Sequence, residues 1–133
     1  MEYPIQHSIS KVGLPLIVTA YKPNLCFLVD TGSTHNILFG FVYEHIKSSC
    51  TAISEKSMIM GIDREKNEAM QIEISLSFGG QDSKALFFVI DTEKTVAQIQ
   101  SETGIQIHGI LGMPFLICNK WILDFNNLKI KSA

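Results

Sequence analysis

Cysteine is scarce in this sequence: there are three, Cys26, Cys50 and Cys118, at wide spacing. An odd and scattered set argues against a disulfide framework and fits a reducing compartment, so the expected location is cytoplasmic. Cys26 and Cys118 are expected to act as small buried hydrophobes. A strong excess of either charge is missing too. Eleven Lys and Arg stand against thirteen Asp and Glu, for a formal net charge of −2. The basic residues are scattered, with no basic stripe and no aromatic interleaving, which argues against a nucleic-acid partner. No apolar run approaches the roughly 20 residues of a membrane-spanning helix. The opening Met1-Glu2-Tyr3-Pro4 does not read as a secretory signal, and no membrane partner is expected. The four histidines, His7, His35, His45 and His108, lack ligand spacing with the cysteines. No metal or cofactor is therefore expected. Repeats, low-complexity tracts and Pro/Gly/Ser-rich linkers are also absent.

What is present is a globular composition. Hydrophobic residues make up 46% and charged residues 18% of 133 residues, enough for one core and one domain, 1–133. Most segments read as short strands. Leu14 to Ala20 is apolar and β-branched, and Leu25 to Val29 is a continuous apolar run of the kind buried on both faces. Ile37, Leu38, Phe41, Val42, His45 and Ile46 are spaced to share one helical face, with Ser33, Thr34 or Asn36 as a cap and Gly40 weakening the helix. Ser57 to Met60, Met70 to Phe78 and Ala85 to Ile90 read as strands. A short helix is expected over Thr95 to Thr103, ending at Gly104. Ile110-Leu111-Gly112 reads as a buried strand end, followed by a helix with Pro114 in its first turn. Trp121 to Phe125 and Leu128 to Lys131 form a hairpin around Asn126-Asn127. The sum is a mostly β domain with a few short helices.

The sharpest feature is Asp30-Thr31-Gly32-Ser33, set at the end of the apolar run Leu25 to Val29. Hydrolysis of a peptide without a metal or covalent nucleophile needs water made nucleophilic and a carbonyl made electrophilic. Two carboxylates sharing one proton supply both functions. They cannot both ionise at close range, so they titrate as a unit. The neighbours of Asp30 have assignable roles. Gly32 lets the backbone N–H approach the carboxylate. The Thr31 hydroxyl can bond across to a partner strand. Ser33 is expected to donate to the outer oxygen of Asp30. His35 is expected on the surface.

Asp30-Thr31-Gly32-Ser33 resembles the signature of aspartic peptidases. Ile110-Leu111-Gly112, about 80 residues later, resembles that family's second element, two apolar residues and a glycine before a helix. Met60, Gly61 and Ile62 resemble the flap, the hairpin that closes over substrate. The order matches the single-domain, retropepsin-like branch. The resemblance implies a single-lobe, acid-protease-like closed β-barrel with a few short helices. It also implies an aspartic endopeptidase acting on peptide or protein substrates, with Asp30 catalytic and Thr31, Gly32 and Ser33 supporting it.

The mechanism needs two aspartates and the chain offers one. Asp63, Asp82, Asp91 and Asp124 are not followed by Thr-Gly or Ser-Gly. Asp91-Thr92 comes closest, but Glu93 replaces the glycine, so Asp91 is expected to be a strand-end residue. A homodimer with Asp30 from each subunit is the expected solution. Viral members carry Arg and then Asp or Asn after the second glycine. Met113 and Pro114 stand there instead, so the dimer is expected to be held differently. The alternative expectation is a catalytically inactive retropepsin-fold module used for binding or assembly.

Overall fold

The structure, a computed structural model, describes residues 1–21, 23–60, 66–91 and 93–132. The chain runs β1 (Glu2–Pro4), α1 (Gln6–Val12), β2 (Leu16–Val18), β3 (Cys26–Val29), β4 (Ile37–Phe39), α2 (Gly40–Ile46) and a 3-10 turn (Lys47–Ser49). It continues with β5 (Cys50–Met60), β6 (Lys66–Phe78), β7 (Gln81–Ile90), α3 (Glu93–Thr103), β8 (Gly109–Leu111), α4 (Met113–Cys118), β9 (Trp121–Asp124) and β10 (Lys129–Ser132). The mostly β architecture with a few short helices follows the apolar runs. Among the described residues no helix is long and apolar enough to cross a membrane.

Seven strands form one sheet in the order β2-β3-β8-β4-β7-β6-β5, and three form a second in the order β1-β10-β9. Parallel pairing joins β3 to β8 and β4 to β7, while β4 and β8 run antiparallel. The sheet does not close, so the expected closed barrel is corrected to an open sheet with edges at β2 and β5. The cause is visible at β2. Its outward N–H groups are taken by side chains: Leu16 N–H donates to Ser8 Oγ at 3.2 Å, and Val18 N–H to Tyr3 Oη at 3.0 Å. An edge satisfied this way has no need of another strand.

The helix expected from Ile37 onward begins only at Gly40. Ile37, Leu38 and Phe39 are all buried and pair with β7 and β8. A strand flanked on both sides buries alternate residues on both faces, and an unbroken apolar triplet satisfies that. The helix after β8 forms as expected, with Pro114 in its first turn. The two cysteines are less buried than expected: Cys26 is half-buried and Cys118 exposed. Cys118 is the last residue of α4, past the buried Phe115 and Leu116.

Aromatic rings knit the two sheets into one core. Phe27 meets Phe78 edge-on at 6.0 Å, Phe78 meets Phe115 at 5.9 Å, and Phe115 meets Trp121 at 5.1 Å. Edge-to-face contacts of this kind add to the burial of the rings. The Trp121 indole N–H donates to Gln81 Oε1 at 3.0 Å, so β9 is fixed against the turn that opens β7.

Candidate active site

β3 delivers Asp30 to the surface from a strand held on both sides, by β2 and β8. The Asp30 N–H donates to the Leu111 carbonyl at 3.0 Å, extending the β3–β8 ladder by one rung. The loop then turns sharply. Ser33 N–H donates to the Asp30 carbonyl at 3.2 Å, and Gly32 N–H donates to Asp30 Oδ1 at 2.9 Å. A Cβ on Gly32 would lie 3.2 Å from that same oxygen, tighter than ordinary contact. The glycine expected from the sequence thus has a geometric reason: it lets the backbone reach the carboxylate.

The second motif supports the loop from behind. Met113 N–H donates to the Ser33 carbonyl at 2.9 Å. Gly112 lies so close that an added Cβ would collide with the Ser33 and His35 carbonyl oxygens. Ile110, Leu111 and Gly112 are all buried. The structure therefore brings Asp30, Gly32 and Ser33 together with Leu111 and Gly112, residues about 80 positions apart.

Two residues behave differently from expectation. The Ser33 hydroxyl donates to the His35 carbonyl at 2.7 Å rather than to Asp30, because the loop turns it inward. His35 is half-buried, its ring edge-on to Phe88 at 5.1 Å, rather than fully on the surface. Thr31 is exposed, and its hydroxyl makes no hydrogen bond among the described residues. Met60 ends β5, which pairs with β6 through Met60 and Lys66. Gly61 and Ile62 lie outside the described residues.

Asn36 was missed as a site residue and named only as a helix cap. It is 5% exposed, and its amide joins three segments. Oδ1 accepts Gly112 N–H at 3.0 Å and Phe115 N–H at 3.3 Å, and Nδ2 donates to the Leu86 carbonyl at 3.1 Å. It accepts N–H groups at the start of α4 from a distant part of the chain, as an N-cap does locally, sharing the Phe115 N–H with the Gly112 carbonyl. Its one sequence signal is position: an amide between the Asp30 motif and an apolar triplet.

Among the described residues no hydrogen bond or ion pair joins Asp30 to another carboxylate. Asp91 follows β7 and is exposed, with its carboxylate beside Gly40. Asp124 is held by Asn127 and Lys131, which bring its carboxyl down to about 2. Among the described residues no group of three or more His, Cys, Asp or Glu is arranged to hold a metal ion.

Comparison with solved structures identifies the fold. The retroviral protease-like domain of Ddi1 from Leishmania major superposes with a TM-score of 0.65 at 12% identity, over 90% of this chain and 88% of that one. The protease of EIAV, solved with the inhibitor HBY-793, gives a TM-score of 0.58 at 20% identity, over 79% of this chain and 86% of that one. A retropepsin-like aspartic protease from Rickettsia conorii gives 0.57 at 16% identity, over 100% and 91%. No family model and no curated protein sequence matches the chain. The chain has a retropepsin-like fold.

Proposed function

We propose that this chain, a single domain over 1–133, is one subunit of an aspartic endopeptidase, active as a homodimer with Asp30 contributed by each copy. The observation that carries the reading is the Asp30 loop. It is a carboxylate at the tip of a buried strand, touched by the Gly32 N–H at 2.9 Å and backed by Leu111 and Gly112. The loop is over-determined by backbone bonds, which is what preorganised catalysis asks of a site. The neighbours named above include proteases of this fold, which supports the same reading.

In the proposed reaction one Asp30 is ionised and the other protonated. The ionised carboxylate takes a proton from water as its oxygen attacks the peptide carbonyl carbon. The protonated one gives its proton to the carbonyl oxygen, forming a tetrahedral diol. Collapse breaks the C–N bond, with a proton passing to the departing nitrogen. An extended peptide would lie between subunits, with the hairpin of β5 and β6 adding backbone hydrogen bonds through the segment that includes Met60, Gly61 and Ile62. Thr31, exposed beside Asp30, would bond to the partner's loop. The three free cysteines support a reducing, cytoplasmic setting.

Asp30→Asn tests the reading. Cleavage of an unfolded protein substrate should vanish, while the unfolding midpoint stays near that of the parent. Retained cleavage would rule out this mechanism.

A further inference from the structure

An open cavity of about 560 Å³ lies between α1, the outer edge of β2 and the end of α3. No residue of the Asp30 loop lines it, and neither do Ile110, Leu111 and Gly112. It is a place apart from the candidate active site, and its size suits a small organic molecule.

The body of the cavity is apolar. Val12, Leu16, Val18, Cys26 and Ile105 supply it, with Val18 directly across from Cys26 of β3. Val18 is 39% exposed, in a strand whose other two residues are buried. Two hydrogen bonds build the wall. Ser8 Oγ accepts the Leu16 N–H at 3.2 Å and ties α1 to β2, and Tyr3 Oη accepts the Val18 N–H at 3.0 Å and ties β1 to β2. The cavity is thus formed ahead of any ligand, which lowers the cost of binding one.

The side chains left to meet a ligand are donors. His7 and Lys11 are four residues apart, so α1 presents both on one face. Among the described residues Lys11 is in no ion pair, and the cavity has no Asp or Glu in its lining. The Tyr3 hydroxyl proton has no acceptor among the described residues. The other two hydroxyls are already engaged. Ser8 donates to the Ile5 carbonyl at 3.2 Å, and Thr103 donates to the Ile99 carbonyl at 2.7 Å.

We infer that this cavity binds a small amphipathic carboxylate, an alkyl or aryl acid. Its carboxylate meets Lys11 and the Tyr3 hydroxyl, and its hydrocarbon end lies against Val12, Val18, Cys26 and Ile105. The charge at the rim selects an acid over an amine of the same length. A peptide strand is a poorer occupant. Leu16 and Val18 turn their backbone groups away from β3, but both N–H groups are taken, so an added strand would find carbonyls alone. The inference stands whether or not Asp30 is catalytic.

Octanoate is the probe, with octylammonium as its opposite in charge and equal in chain length. In a heteronuclear NMR titration octanoate should shift the amides of α1, Val18, Cys26 and Ile105 and leave those of Gly32 and Gly112 unmoved. It should bind about tenfold or more tightly than octylammonium. Lys11→Met should remove that advantage, and Lys11→Glu should reverse it. Lys11 is exposed, so both variants should fold, which thermal unfolding checks. Should Lys11→Glu fail to fold, Lys11→Met decides alone. Equal affinity of the parent for the two probes would overturn the acid. Octanoate that shifts no residue of the cavity, or that binds Lys11→Met as tightly as the parent, would overturn the site. An extended peptide that shifts these amides where octanoate does not would overturn it in favour of a strand.

Discussion

Asn36 carries more of the site than its chemistry suggests. It is uncharged and touches no carboxylate, yet its amide meets β7, the N-cap Gly112 and α4 at once. Truncation to alanine would leave the buried Gly112 N–H and the Leu86 carbonyl without that partner, while the Phe115 N–H would keep only the Gly112 carbonyl. A buried polar group left unmade costs more than the bond contributes when present. We expect Asn36→Ala to lower stability by about 2–3 kcal/mol in urea unfolding. Because Gly112 backs the Asp30 loop, cleavage should fall further than the loss of folded protein explains. A loss of activity that only tracks unfolding would assign Asn36 to the scaffold alone.

At the scale of elements, the pair β3–β8 is extended by a side chain. His108 N–H donates to the Cys26 carbonyl at 2.8 Å, and Cys26 N–H donates back to His108 Nδ1 at 2.8 Å. Nδ1 can accept only when the ring is neutral with its proton on Nε2. Burial pushes the His108 pKa below its ordinary value of 6.5. The unfolded chain then binds the proton more readily than the folded one. Stability is therefore full above about 6.5 and is lost as pH falls from there toward the lower folded value. The parent should unfold at lower urea at pH 5.5 than at pH 7.5, and His108→Gln should flatten that difference. An unchanged slope in the variant would move the effect to other groups.

The same scale shows what the sequence revealed. β3, the Asp30 turn and β8 were legible because each is an apolar run stopped by a residue with one steric use. β4 was misread because Ile37, Leu38, Phe41 and Val42 also fit helical spacing; only flanking by β7 and β8 decides for strand. β1 and α1 went unassigned because α1 packs only Ile9 and Val12 on the core, neither fully buried, too short an apolar stripe to read as a helix. Asn36 was hidden because its partners lie 50, 76 and 79 positions away, beyond any local pattern.

The whole molecule holds half of what the proposed chemistry requires, and that makes subunit mixing a sharp test. If each site takes Asp30 from two chains, a subunit carrying Asp30→Asn spoils any wild-type subunit it pairs with. With free exchange and equal affinity, an equimolar mixture should cleave at about half the rate of the same wild-type chains alone. A tenfold excess of the variant should leave about one tenth. Dilution gives an independent reading, since below the dimer's dissociation constant the rate should follow the square of chain concentration. A catalyst complete within one chain would ignore the added variant and stay linear on dilution.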